Sequence, residues 1–203
     1  MDEASEEPGT RAKILIAAAT MLGENPTARL SVRAVAARAQ VSTGSLRHFF
    51  PTQRALVETV VAALYDLEIP DDPINDRSLT AEERLVACLQ LLLRQVGVGE
   101  RAREQWGALY KAYVATPPSE DDAATYLALD RMTRHVIEQW LTTLIDEGAI
   151  PPGRVEERAR FLSTVMAGLT TERALPSETV RVDVEAASLR IAVRAVTSAW
   201  PAD

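Results

Sequence analysis

SVRAVAARAQVSTGSLRHFF, residues Ser31 to Phe50, decides how this chain is read. It reads as two short helices joined by a tight turn, closed by an aromatic residue and Pro51. Ser31 has the short hydroxyl that suits a helix N-cap, and Val32, Val35 and Ala36 fall on one face of a helix running to about Arg38. Ala39-Gln40-Val41-Ser42 forms the turn, and Val41, its only large apolar residue, is placed to fill the gap between the helices. Ser42 or Thr43 caps a second helix that carries Thr43, Gly44, Ser45, Arg47 and His48 outward and Leu46 and Phe50 inward. Such an outer face suits a DNA major groove: small residues allow close approach, and polar ones bond base edges and phosphates. The alternative, from this pattern by itself, is an ordinary helical hairpin inside a larger bundle.

Charge is distributed in a way that bears on this choice. The 203 residues total −7, which argues against a nucleic-acid partner. Between Thr10 and Tyr65, however, Arg11, Lys13, Arg29, Arg33, Arg38, Arg47 and Arg54 face only Glu24 and Glu58, a local balance of +5. A basic head on an acidic body is the footprint of a module that binds phosphate at one end. The 47% hydrophobic and 5% aromatic composition suits an Ala- and Leu-rich helical protein. No apolar run approaches 18 residues and the start MDEASEEPG lacks an export signal, so the expected location is the cytoplasm. One cysteine, Cys88, excludes an intramolecular disulfide and any Cys-cluster zinc site, and it reads as a small buried hydrophobe.

Helical periodicity continues along the chain, giving an all-α protein. Residues 1–9 read as a disordered acidic tail, and 10–68 as a three-helix helix-turn-helix domain followed by a longer helix. The first helix spans Thr10–Leu22 with Ile14, Leu15, Ala18, Met21 and Leu22 inward. Thr52 caps the fourth, which carries Leu56, Val60 and Leu64 to about Glu68. Residues 69–203 read as a second helical domain. Thr80 and Glu83 form a capping box for a helix to Val96, and further helices are expected at Glu100–Val114, Asp121–Glu147, Arg154–Leu175 and Asp183–Trp200.

Val32-Arg33, Val35-Ala36, Ala39, Val41-Ser42, Gly44-Ser45-Leu46, His48, Phe50-Pro51 and Leu56, at fixed spacing over three elements, resemble the DNA-binding domain of the TetR (tetracycline repressor) family. Three departures stand out. Gln40 replaces the usual Gly, placing a non-Gly residue where positive φ is expected at a cost of about 1 kcal/mol. Arg47 replaces a phosphate-contacting Tyr, and Gln53 replaces a Lys, with Arg54 beside it to supply the charge. The resemblance implies that Arg33, Ser42, Thr43, Gly44, Ser45 and Arg47 meet bases or flanking phosphate. Arg11, Lys13, His48, Thr52 and Arg54 are then the expected phosphate contacts.

The same resemblance implies a homodimer formed by the last two helices, with Phe161, Leu162, Val165, Gly168, Leu169, Leu189, Ile191, Val193 and Val196 as interface candidates. Dimerisation would space two recognition helices about one DNA turn, roughly 34–36 Å, apart on a pseudo-palindromic operator. It also implies a small-molecule cavity between middle helices, with Trp106, Tyr110, Tyr113, Tyr126, Leu129, Met132, Thr133, Val136 and Trp140 as lining candidates, although stripes at this spacing also suit plain core. No cofactor and no metal site are expected: His135 and Glu138 are one turn apart but lack further ligands. No catalytic constellation is present either, since Gly97-Val98-Gly99 follows a helix rather than a strand and no nucleophile has a base at motif spacing. The function expected is a ligand-released repressor. The alternative is a helix-turn-helix regulator or activator controlled by a protein partner.

Overall fold

The computed structural model describes residues 9–24, 31–65, 72–176 and 181–198. Among them are nine α-helices and one 3₁₀ turn, and no strand. The helices are α1 (Thr10–Glu24), α2 (Val32–Arg38), α3 (Thr43–Phe49), α4 (Gln53–Tyr65), α5 (Ala81–Val96), α6 (Glu100–Tyr113), α7 (Glu120–Asp146), α8 (Val155–Ala174) and α9 (Arg181–Thr197), with the 3₁₀ turn at Pro73–Asn75. Every element expected from periodicity is present, with ends displaced by a few residues. Thus α1 runs on to Glu24 rather than stopping at Leu22, and α9 starts at Arg181 and ends at Thr197. The acidic tail up to Pro8, the expected end of α4 at Glu68 and the end of the last helix at Trp200 lie outside the described residues.

The chain divides into two compact units, residues 1–67 with 111–130, and residues 68–110 with 131–203. In the first, α1 packs on α2, α3 and α4. Ile14, Ala18 and Leu22 of α1 meet a core that includes Val35, Leu46, Leu56 and Val60, all nearly or fully buried. Each large aliphatic side chain so buried contributes roughly 1.5–3 kcal/mol. Leu15 and Met21, expected inside, are only half-buried, because Ala17 shares the inner face of α1.

In the second unit α5 packs on α8, α9 and the 3₁₀ turn. Its core takes Leu85, Cys88, Leu89 and Leu93 from α5, Ile137, Trp140, Leu141 and Leu144 from α7, Leu162 and Leu169 from α8, and Leu189, Val193 and Val196 from α9. The capping box at Thr80 forms as the sequence predicts: the hydroxyl accepts from the Glu83 amide at 3.3 Å, and the Glu83 carboxylate accepts from the Thr80 amide at 2.9 Å. At the other end of α5, Gly97 turns at φ 73, where a Cβ would meet the Arg101 side chain at 2.8 Å. Arg173 of α8, buried, donates to the carbonyls of Leu93 and Gly97 and grips both oxygens of Glu185 at 2.6 Å, so one guanidinium ties α5, α8 and α9 together.

Candidate nucleic-acid interface

The helix-turn-helix is built from two seven-residue helices, too short to persist alone in water. Caps and burial hold them. The Ser31 hydroxyl accepts from the Ala34 amide at 3.1 Å, and the Ser42 hydroxyl accepts from the Ser45 amide at 3.0 Å, so Ser42 rather than Thr43 is the cap. At the end of α2 the Gln40 amide donates to Ala37 and the Val41 amide to Ala36, the pair of bonds of a Schellman motif. That motif needs a left-handed residue, and Gln40 supplies it at φ 55, as the missing Gly predicts. Leu46 and Phe50 are buried beneath α3, and Val41 is half-buried beside them.

This leaves Arg33, Ser42, Thr43, Gly44, Arg47 and His48 exposed, as the sequence reading places them. Ser45 departs from it: the residue is half-buried and its hydroxyl lies 3.0 Å from that of Ser42, so it helps to close the cap. A Cβ at Gly44 would touch only the Ser42 hydroxyl, at 3.7 Å, so internal packing does not demand glycine there. His48 and Phe49 meet edge to face, ring centroids 5.1 Å apart.

The expected phosphate contacts are less uniform. Thr52 caps α4, accepting from the Ala55 amide at 3.0 Å. Arg54 is exposed and paired with Glu58 at 2.8 Å, and this hydrogen bond and charge raise its pKa. Gln53, which stands where a Lys is usual, carries a buried Nε2 without an acceptor at the start of α4. Arg11 lies over the Phe50 ring, 5.8 Å from its centroid. Lys13 is half-buried.

Among the effector candidates, Tyr113, Tyr126 and Leu129 belong to the first unit and the others to the second. Tyr113 and Tyr126 rings lie 5.0 Å apart; burial and the nearby Asp122 charge raise the pKa of Tyr113. Trp106 stacks on Tyr110 at 5.3 Å and donates to the Thr171 hydroxyl at 3.3 Å. Met132 and Thr133 are half-buried. Val136 is half-buried and packs against the core, and Trp140 sits in it with its indole N–H donating to Asp72 at 2.7 Å. Nothing local in the sequence signals that bond, because the partners are 68 positions apart.

Among the interface candidates, Leu162, Leu169, Leu189, Val193 and Val196 are buried in the core of their own subunit and have no surface left for a second copy. Phe161, Gly168 and Ile191 stay outside, with Ile191 71% exposed, and Val165 is half-buried. Cys88 is buried as expected, its pKa pushed up by burial and by the Asp72 carboxylate it bonds. His135 Nδ1 lies 3.7 Å from Glu138, and among the described residues no group of three or more metal-ligating side chains occurs. No described helix is long and apolar enough to cross a membrane.

Residues 14–60 match the sequence profile described as "Bacterial regulatory proteins, tetR family". These residues form a TetR-family domain. The match runs from the middle of α1 into α4 and contains the whole capped turn described above. The chain is similar in fold to the transcriptional regulator FadR from Bacillus subtilis in complex with stearoyl-CoA, at 17% identity over 89% of this chain and 96% of that one, TM-score 0.52. It is also similar to Salmonella enterica GusR, at 19% identity over 97% and 99%, TM-score 0.52. A transcriptional regulator from Rhodococcus sp. Rha1 matches at 20% identity over 93% and 96%, TM-score 0.50. No curated protein matches in sequence. The family is one of transcriptional regulators rather than enzymes, and the helix-turn-helix is its DNA-binding part.

Proposed function

We propose that this regulator is a repressor that binds a pseudo-palindromic operator as a homodimer and is released by a small-molecule effector. The observation that carries the DNA half is the outer face of α3, where Thr43, Gly44, Arg47 and His48 stand exposed on a helix capped by Ser42. Gly44 leaves room that internal packing does not need, which is what close approach to a groove requires. Arg33 joins that reading face. Arg11, Lys13, Arg54, His48 and the N-terminus of α4 at Thr52 position it on phosphates. Dimerisation through α8 and α9 would use their outer residues, among them Phe161, Gly168 and Ile191, since the inner stripe is already occupied.

The effector half rests on the aromatic pair Trp106–Tyr110 of the second unit, and on the precedent that FadR was solved with stearoyl-CoA. A ligand must favour one state by differential affinity, typically 1–3 kcal/mol of coupling. The burial of Trp140 favours the second reading, a regulator without a small-molecule effector that is controlled by a protein partner. Selection from a random DNA pool, followed by titration of the retained duplex at several salt concentrations, tests the DNA half. Three or four neutralised phosphates per subunit give a log–log slope of roughly −5 to −7 for a dimer. A slope near zero, or an asymmetric footprint, overturns the dimeric operator complex. A thermal-shift screen of a metabolite library separates the two readings, because a ligand at 100 times its Kd adds about 2.7 kcal/mol.

A further inference from the structure

The Asp72 carboxylate is unusually well occupied for a residue near a division between units. Its Oδ2 accepts from the Trp140 indole N–H at 2.7 Å, and its Oδ1 accepts from the Cys88 thiol at 3.2 Å and the Ile74 amide at 3.1 Å. Two body helices, α5 and α7, therefore hold one side chain in the stretch that follows the head, a few residues past the division at 67–68. Burial keeps the Cys88 thiol protonated, so it serves as a donor. Just beyond, Arg84 donates to the Ile74 carbonyl and pairs with Glu147 at 2.7 Å, which also receives Arg77 at 3.1 Å. Ile74 is buried. Residues 72–77 are thus locked to α5 and to the C-terminal half of α7.

From this geometry we infer that Asp72 is a positioning residue for regulation: its bond to Trp140 makes the start of the body follow α7, and so couples α7 to the chain entering from the head. The inference rests on the regulatory reading above. The physical reason is that a half-buried carboxylate cannot cheaply lose its indole donor. A rotation of α7 that moves Trp140 must either carry Asp72 along or leave Oδ2 without its donor. Trp140 also shares a face with Val136 and Met132, one and two turns earlier, so anything that displaces that face acts directly on the bond. Coupling free energies are reciprocal, so DNA bound at the head must act back on the Trp140–Asp72 pair even with no effector present.

That reciprocity allows a test with DNA alone. The full chain is labelled with ¹⁵N, and the Trp140 indole cross-peak is assigned by its loss in Trp140→Phe. The duplex retained from the random pool is then titrated in. The expected result is a Trp140 indole shift that tracks the binding isotherm in the native chain. In Asp72→Ala the peak moves upfield in the free protein and no longer responds to DNA, while the duplex still binds. Asp72→Asn, isosteric and neutral, keeps the packing if the alanine variant fails to fold, and its response should fall by half or more. Duplex binding with an unmoved Trp140 peak, or an undiminished response in the Asp72 variants, overturns the coupling role. Failure to retain any duplex overturns the regulatory reading itself, and this inference with it.

Discussion

Gln40→Gly should stabilise the head, and the size of the gain can be worked from the turn. Gln40 occupies the left-handed position of a Schellman motif at φ 55, where a side chain costs about 1–2 kcal/mol relative to the right-handed regions. Glycine removes that cost but gives back about 0.4–1 kcal/mol by loosening the unfolded chain. The Gln40 side chain is exposed, so no buried contact is lost, and the flanking amide bonds to Ala36 and Ala37 need no side chain. The net expectation is about 0.5–1 kcal/mol in favour of glycine. For a head that unfolds on its own, this is a rise in Tm of roughly 2–8 °C. Gln40→Asn should give a smaller gain, since Asn tolerates the left-handed region, and Gln40→Ala none. Thermal melts of the three variants, with hydrogen exchange at the Val41 amide as the local probe, decide the matter. A glycine variant no more stable than the native chain would show that the turn is not strained, and would refute the reasoning.

Arg33→Ala should cost about 1–3 kcal/mol of operator affinity and relax preference at one base pair if the guanidinium reads a guanine; competition with single-position operator variants checks it, and equal weakening on every sequence reassigns Arg33 to phosphate. Glu185→Gln leaves Arg173 in a buried site without its carboxylate, and should destabilise the body by about 3–5 kcal/mol in urea titration, with Arg173→Met/Glu185→Gln together costing far less. Acid should weaken the fold in a defined window. Arg84 and Arg77 hold the pKa of Glu147 below the usual range, and hydrogen bonds from Thr80 and Ser78 do the same for Glu83 and Asp76. Carboxylates depressed in the folded state stabilise it above their unfolded values, and that stability is lost as pH falls below about 4. Glu147→Gln should flatten this part of a Tm–pH curve, and an unchanged curve would exclude its contribution.

What was legible in the sequence was whatever depends on neighbours in the chain. The Ser31, Ser42 and Thr80 caps, the positive φ at Gln40 and the helix succession all follow from spacing within a few residues. Long-range pairing was not legible. Trp140 reads as a cavity wall because its stripe is apolar, and only the fold brings Asp72 to its indole. Arg54 looks like a spare cation until Glu58 is seen to hold it, although the i, i+4 spacing was a signal. In α8 and α9 the apolar residues cover two faces. Periodicity identifies stripes but not which one faces inward, so it groups Leu189 and Val193, fully buried, with Ile191, which is not.

The division of labour within the helix-turn-helix follows from the same distinction. Neither α2 nor α3 is long enough to supply its own stability, so both depend on buried groups, Val35, Leu46 and Phe50, and on two serine caps. None of those buried groups is on the surface that would meet DNA. Thr43, Gly44 and Arg47 are exposed and lie outside the buried core, so their identities are free to be set by base edges and phosphates rather than by the fold. Ser42 is the exception, because its hydroxyl is both the cap and a candidate phosphate contact. On the proposed DNA-binding reading, a change there should alter helix stability and DNA affinity together, whereas a change at Thr43 or Arg47 should act on recognition alone.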